Sequence, residues 1–193
     1  MKTTAILTAV LTASFALAPA LAADKYKIDP DHAWINFSIK HAPWSNAQGK
    51  FKTVKGEYLF DKEDLAKSSV SVEIDTASVD TNQGPRDDHL KSPDFFNAAE
   101  FPTMTFVSTA IEKTGEKTGK ITGDLTLLGV SKPVTFDVTF NGEAPYPWDA
   151  SVHRTGFSAA LKINPGDFGM AKVAEFGMGP EVDVTLNVEG IRQ

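Results

Sequence analysis

Histidines are the side chains of this sequence with the widest chemical range, because they bind metals and transfer protons near neutral pH. The chain has four of them, His32, His41, His89 and His153, and no cysteine. None belongs to a His-x-His, His-x-x-x-His or His-Glu-x-x-His motif, the short spacings that are typical of metal sites. The Asp87-Asp88-His89 group fits the N-terminal turn of a short helix better than a ligand set. We therefore expect neither a metal ion nor a cofactor.

The motifs of covalent and nucleotide chemistry are also missing. The sequence contains no Gly-x-Ser-x-Gly nucleophile motif, no Gly-x-Gly-x-x-Gly and no Gly-x-x-x-x-Gly-Lys. We expect a protein that is not an enzyme and has no catalytic residue. The alternative is an enzyme that acts on a lipid-like substrate, with His41 or His89 as its base.

Charge and composition narrow the class of partner. The 193 residues carry a formal net charge of −6, and 41% of them are hydrophobic, including 13 Phe. An acidic chain is a poor match for nucleic acid or for an anionic membrane surface. The apolar content is ample for a folded core.

The first 22 residues have the pattern of a signal peptide. A short positive segment with Lys2 precedes the uncharged run from Ala5 to Leu17, and Ala20-Leu21-Ala22 has the form of a cleavage site. The apolar run of about 13 residues is short for a membrane span. We expect cleavage after residue 22, export to the periplasm without stable membrane insertion, and a single domain over residues 23–193.

Period-two alternation of apolar and polar residues recurs along that domain and predicts at least eight β-strands. Strands with one apolar face need a shared interior, which a sandwich or a closed barrel provides. Short connections favour antiparallel, up-and-down pairing. A transmembrane barrel, with its apolar face outward, is the less favoured alternative because the external loops are short. Short helices are predicted at residues 61–66, with Asp61 as the N-cap, and at residues 85–91 after Pro85.

The inward faces carry many Phe residues, and an eight-stranded barrel is either filled by its side chains or just wide enough for one small ligand. Ala33, Ser108, Gly123 and Ala159 are small residues on bulky faces, which favours a cavity. Polar groups at its mouth are expected among His41, Trp44, Asn46, Arg86 and His89. A filled barrel that acts through a protein partner is the alternative.

Several segments resemble the YceI-like family. They include Asp29-Pro30-Asp31-His32-Ala33-Trp34, then Arg86-Asp87-Asp88-His89-Leu90-Lys91-Ser92-Pro93-Asp94-Phe95-Phe96-Asn97, and Asp167-Phe168-Gly169-Met170. Two positions differ: Ala33 stands where members often have Ser, and Ile163-Asn164-Pro165-Gly166 replaces a common Arg.

The resemblance implies an all-β, extended antiparallel lipocalin-like barrel in the periplasm, compatible with a homodimer. It also implies a long isoprenoid lipid, a polyprenyl chain or an isoprenoid quinone, as the partner inside the barrel. Fatty acids or their amides and hydrophobic antibiotics are alternative ligands. On this hypothesis the binding residues are Phe37, Ile39, Phe51, Phe106, Leu125, Phe136, Val138 and Phe157, with Phe95, Phe96 and Phe168 in the cavity or its closure.

Overall fold

The computed structural model describes residues 23–193, so the expected signal peptide, residues 1–22, lies outside the described residues. Ten antiparallel strands make up most of the fold. Their bounds are β1 (Asp24–His41), β2 (Ser45–Phe51), β3 (Val54–Phe60), β4 (Ser69–Asp75), β5 (Val79–Asp80), β6 (Thr103–Lys113), β7 (Thr118–Leu127), β8 (Val130–Tyr146), β9 (Asp149–Ile163) and β10 (Met178–Arg192). The helices are α1 (Gly84–Lys91) and α2 (Lys172–Glu175), with 3₁₀ turns at Leu65–Lys67, Thr76–Ser78 and Pro165–Phe168.

Eight of the strands form a closed barrel in the order β1-β3-β4-β6-β7-β8-β9-β10, and β10 pairs with β1 to complete the circle. The predicted antiparallel barrel is thereby confirmed. All neighbouring pairs are antiparallel, as short connections require.

Strand β1 pairs with both β2 and β3 on the side opposite β10, and it is irregular between the two paired segments. Its register with β10 shifts between Ile28 and Ala33. Residues 24–27 pair with β3, whereas residues 35–41 pair with β2, which in turn carries β5. The irregularity lets β2 and β5 branch from the barrel wall at β1, next to β3.

The predicted faces are confirmed by the burial of alternate residues. In β10, Val182 is buried and Val184 and Leu186 are half-buried, while Asp183 and Thr185 between them are exposed. The same pattern holds for the inward face of β8, whose members are half-buried rather than buried: Val134, Phe136, Val138 and Phe140. Interior side chains that keep accessible surface indicate a lumen that they do not fill.

Local capping decides where the helices begin. Helix α1 follows Gln83, whose side-chain oxygen accepts the N–H of Arg86 at 2.6 Å, and Pro85 lies in its first turn. The prediction for residues 61–66 is wrong in position: the 3₁₀ turn is Leu65–Lys67, and Asp64 caps it. Asp61 instead accepts the N–H groups of Glu63 and Asp64, because an aspartate before a loop readily closes its own tight turn.

The two ends of the barrel differ. One end, which we call the helical end, carries α1, α2 and the β1–β2 turn at residues 42–44. The other, the turn end, carries the short β3–β4, β6–β7 and β8–β9 connections. None of the helices in residues 23–193 is both long and apolar enough to cross a bilayer.

Candidate binding cavity

The barrel interior holds two cavities, of about 400 Å³ towards the helical end and about 370 Å³ towards the turn end. Both lie within the size range of small-molecule sites. Their volume is inconsistent with a filled barrel. Five side chains, which we call the waist, border both chambers: Ile35, Val72, Phe106, Phe136 and Leu186.

The waist is built around an edge-to-face aromatic pair. The ring centroids of Phe106 and Phe136 are 5.0 Å apart, with planes at 80°. Phe106 lies over Gly123 of the adjacent strand, where a Cβ atom would be 2.5 Å from its Cζ. Gly123 therefore makes room for a side chain of the barrel, not for a ligand.

The other three small residues have different roles. Ala159 lines the turn-end chamber, in agreement with the interpretation that small residues leave space. Ser108 accepts the N–H of Val70 at 2.9 Å, next to an irregularity between β6 and β7. Ala33 packs against the core beside β10 and lines neither chamber.

The helical-end chamber gathers most of the side chains predicted from the sequence. Three aromatic rings lie in a row from the segment after α1 into the barrel. The ring centroids of Phe96 and Phe51 are 5.4 Å apart, and those of Phe51 and Phe37 are 5.7 Å apart. The predicted residues that line this chamber, including the two waist residues Phe106 and Phe136, are Phe37, Ile39, Phe51, Phe95, Phe96, Phe106, Leu125 and Phe136.

The turn-end chamber has predicted and unpredicted lining residues. Val138 and Phe157 line it as expected. Phe60 and Phe140 line it as well, and their rings lie 5.2 Å and 5.4 Å from Phe157. Both are on inward faces of the alternation, which was the signal available in the sequence.

Phe168 borders neither chamber. It is buried in the core in the 3₁₀ turn Pro165–Phe168, capped by Asn164, whose side-chain oxygen accepts the N–H of Gly166 at 2.9 Å. Its position supports the closure of the helical end. Direct ligand contact for it, and for the ten lining residues, stays a prediction.

Three of the expected polar groups line the mouth of the helical-end chamber: His41, Arg86 and His89. Trp44 and Asn46 do not border the chamber. Arg86 donates from Nε to Oγ1 of Thr81 at 2.7 Å and from Nη2 to its carbonyl at 2.6 Å. Its guanidinium is therefore held against the loop before α1.

An ion-pair cluster, which we call the clasp, joins α1 to α2. The Asp94 carboxylate pairs with Lys172 of α2, and its Oδ2 lies 3.2 Å from Nε2 of His89 on α1. The hydrogen bond from Lys172, followed by that from His89, lowers the pKa of Asp94 below its usual value. The clasp therefore links α1 and α2 at the helical end of the barrel.

A second polar cluster lies away from the lumen, and no motif in the sequence predicts it. Asp29 and His32 in the irregular part of β1 meet Arg154 of β9 and Glu189 of β10, so the partners are far apart in the chain. Nη1 of Arg154 donates to Asp29 at 2.7 Å and to Glu189 at 2.8 Å, and Nδ1 of His32 lies 2.8 Å from Asp29. Asp29, His32 and Glu189 are spaced as metal ligands could be, but the guanidinium already supplies their positive charge.

The lumen has little capacity for acid–base chemistry. Among the described residues, its one phenol is Tyr58, hydrogen-bonded to Thr155, and burial raises the pKa of Tyr58 to about 12. The imidazoles of His41 and His89 lie at the mouth. The walls between are apolar, and what this arrangement does best is exclude water from an apolar guest.

Comparison with known proteins agrees with this geometry. The model of the YceI-like domain matches residues 26–190. The chain belongs to the YceI-like family. Protein YceI of Escherichia coli is 42% identical to it over 184 residues, which cover 93% of this chain and 92% of that protein.

Solved structures of the same barrel extend the family relationship. The Campylobacter jejuni YceI protein has a TM-score of 0.72 and 33% identity, and the match covers 80% of this chain and 90% of that one. A polyisoprenoid-binding domain from Saccharophagus degradans, implicated in plant cell wall breakdown, has a TM-score of 0.68 at 15% identity, covering 87% and 98%. The latter likeness is one of fold.

Proposed function

We propose that this YceI-like protein binds one long-chain isoprenoid lipid, a polyprenyl chain or an isoprenoid quinone, inside its barrel. It does so in the periplasm, where it carries, stores or sequesters the lipid. The observation that carries the proposal is the two-chamber lumen, whose apolar walls lie between polar groups at its two ends. These are His41, Arg86 and His89 at the helical end, and Lys62, Lys113, Glu116, Lys117 and Lys120 at the turn end.

The length of the lumen suits a long chain better than a compact ligand. Ile163 and Val182 face the helical-end chamber, whereas Phe157 and Val188 face the turn-end chamber. Phe157 and Ile163 on β9 are six residues apart, as are Val182 and Val188 on β10. Six residues correspond to about 20 Å along a strand. An extended guest that passes the waist contacts both chambers.

The energy of binding comes from removing apolar surface from water. Each buried CH₂ equivalent contributes about 0.8 kcal/mol, so a chain of many units gains affinity by occupying more of the lumen. Ionic strength should matter little to this term, because the walls between the mouths are uncharged. The polyisoprenoid-binding domain of Saccharophagus degradans supports the ligand class, and family membership supports the site.

Export rests on the sequence pattern of residues 1–22, which predicts a cleaved signal peptide. We assign binding rather than catalysis, because the lumen brings no nucleophile–base pair together among its described lining residues.

Mass spectrometry of an organic extract of the protein, purified from its native cell envelope, tests the proposal. We expect an isoprenoid species at about one molecule per protein. A stoichiometric fatty acid, fatty amide or other apolar compound would replace the isoprenoid assignment. An empty extract, together with a failure to bind an added polyprenol, would overturn lipid binding.

The Phe106→Asp variant serves as the binding-deficient comparison, because it places a charge at the waist between the two chambers. We expect it to be exported but to extract without lipid. Since a buried charge can prevent folding, its circular dichroism must first match that of the wild type. Ala159→Trp gives an uncharged second variant, which should extract with less long-chain lipid because it fills only the turn-end chamber.

A further inference from the structure

The helical end of the barrel exposes two large aromatic side chains on neighbouring loops. Trp44 in the β1–β2 turn is 77% exposed, and Phe176 after α2 is 54% exposed. Their loops are linked, because the N–H of Ala42 donates to the carbonyl of Gly177 at 3.3 Å. We call Trp44 and Phe176 the aromatic tip.

The aromatic tip is continuous with the lumen. Phe176 lines the helical-end chamber and lies 5.7 Å from the buried ring of Phe95. The ring of Trp44 lies 5.7 Å from His41, which also lines that chamber. At Phe176, apolar surface therefore runs from solvent to the binding cavity, and Trp44 reaches the same chamber through the imidazole of His41.

We propose that the aromatic tip docks reversibly on a phospholipid bilayer, so that the isoprenoid passes between the membrane and the helical-end chamber without crossing water. This inference rests on the proposed function. It adds the partner surface, the phospholipid bilayer, and the face of the barrel that contacts it.

The chemistry of the tip fits a bilayer surface. Tryptophan favours the membrane–water interface, where its ring is buried and its N–H stays hydrated. Lys40 lies beside Gly179, close to the tip, and Arg86 lines the same mouth. Within residues 23–193, neither cation lies within ion-pair distance of a carboxylate. The ammonium of Lys40 is therefore available to a lipid phosphate, whereas Nε and Nη2 of Arg86 already donate to Thr81 and leave Nη1 for such a contact. Two aromatic side chains are enough for contact but not for stable insertion.

The opposite end provides an internal control. Trp148 in the β8–β9 turn is 82% exposed, about as much as Trp44, but it lines neither chamber. Its sequence neighbour Asp149 has a pKa held below the usual value by hydrogen bonds from Ser151, so the residue that follows Trp148 in the chain carries a negative charge. If exposure alone determined contact with a bilayer, Trp44 and Trp148 would bind it equally. If the helical end docks, only Trp44 contacts the bilayer.

Two single-tryptophan proteins test the docking face. One keeps Trp44 (Trp34→Phe with Trp148→Phe), and the other keeps Trp148 (Trp34→Phe with Trp44→Phe). Each is mixed with vesicles of phosphatidylethanolamine and phosphatidylcholine with brominated acyl chains. We expect the emission of Trp44 to shift to shorter wavelength and to be quenched, and that of Trp148 to stay unchanged. Equal quenching of both residues, or of neither, would overturn the proposal.

The transfer rate of a polyprenol from donor vesicles to the protein tests the consequence. We expect the Trp44→Ser protein to take up polyprenol about tenfold more slowly, equivalent to about 1.4 kcal/mol in the barrier, with the same final amount bound, because Trp44 borders neither chamber. Trp148→Ser should match the wild type. An unchanged rate in the Trp44→Ser protein would overturn docking while leaving lipid binding intact.

The same experiments separate the other occupants of the tip and the failure of lipid binding itself. Emission from Trp44 that changes with protein concentration, without vesicles, would assign the tip to a second copy of the chain and overturn membrane docking. If no isoprenoid binds at all, the proposed function fails, whereas the bromolipid measurement still reports on the docking face.

Discussion

The ring of Phe37 lies against the backbone of Gly49, its register partner on β2, where a Cβ atom would be 2.8 Å from Cε1 and closer still to Cζ. The glycine lets the end of the ring approach the backbone of β2, so that the ring lines the helical-end chamber from close to the barrel wall. The lumen at this level is thus kept open by the absence of a methyl group.

Gly49→Ala should therefore turn the Phe37 ring into the chamber. Overpacking of this kind costs about 1–3 kcal/mol, and we expect isoprenoid affinity to fall by about tenfold or more, since 1.4 kcal/mol is a factor of ten. Fluorescence titration with a polyprenol measures it. The control is Gly84→Ala, because a Cβ at residue 84 meets nothing within 4 Å. Equal affinities of the two variants would contradict this account of Phe37.

Ala159→Trp should fill the turn-end chamber, because Ala159 faces that cavity. We expect the variant to lose the affinity gained by lengthening the chain, so that long and short polyprenols bind about equally. The adjacent Ala160 is exposed on the outer face, and Ala160→Trp should behave as the wild type. A folded Ala159→Trp protein with unchanged preference for long chains would show that the guest does not pass the waist.

Arg154→Met should destabilise the fold by about 3 kcal/mol, because it leaves the Asp29 carboxylate, whose side chain is 6% exposed, without its cation. Urea unfolding measures the loss. The exposed pair of Lys162 with Glu181 provides the comparison, and Lys162→Met should cost less than about 1 kcal/mol. Adding Asp29→Asn to Arg154→Met should restore part of the stability, whereas strictly additive losses would exclude a coupled pair.

The pH dependence of this cluster follows from the direction of the Asp29 shift. Burial raises the pKa of Asp29, but hydrogen bonds from His32, the N–H of Asp31 and Arg154 outweigh it and hold the pKa below its usual value. The lowered pKa contributes stability that is fully present above about pH 4 and is lost as the pH falls through the folded-state pKa. We expect the difference in unfolding free energy between wild type and Asp29→Asn to shrink between pH 5 and about pH 2.

Asp94→Asn should loosen the clasp and speed isoprenoid release by a small factor, the scale of an exposed ion pair. Stopped-flow transfer to acceptor vesicles measures the release rate. Since the pKa of Asp94 is lowered, the wild type should match the variant only in acid below about pH 4. Lys91→Met, which removes a pair with Asp88 on the outer side of α1, is the control. The same fast release in both variants would assign the effect to surface charge.

The sequence predicted the faces of the strands well because alternation is local. Val138 and Phe157 could be placed inward from their nearest neighbours alone. The position of the waist could not, since Phe106 and Phe136 meet across a closed sheet whose curvature no local pattern encodes. The interpretation of Gly123 as space for a ligand is wrong for the same reason, because the ring that covers it, Phe106, belongs to another strand.

Long-range polar contacts were also out of reach of the sequence. Asp29 and Arg154 meet because β1 is irregular where β9 and β10 pass it. The motif that contains Asp29 also contains His32, but its other basic partner, Arg154, is distant in the sequence. The helical end was predicted in part. The run Pro85–Lys91 has helix-start and helix-end residues, whereas the closure by Phe168 depends on how the β9–β10 connection folds back.

The pairing of β1 with β10 has a consequence for when the protein can acquire a guest. Residues 26–41 of the first strand lie in register with residues 178–192 of the last, and the N–H of Gln193 donates to the carbonyl of Lys25 at 2.9 Å. Contacts this distant in the chain form late and slowly. The lumen is therefore not enclosed until β10 has paired with β1. On the proposed function, the lipid enters only after the last strand of the domain has been synthesised and has folded.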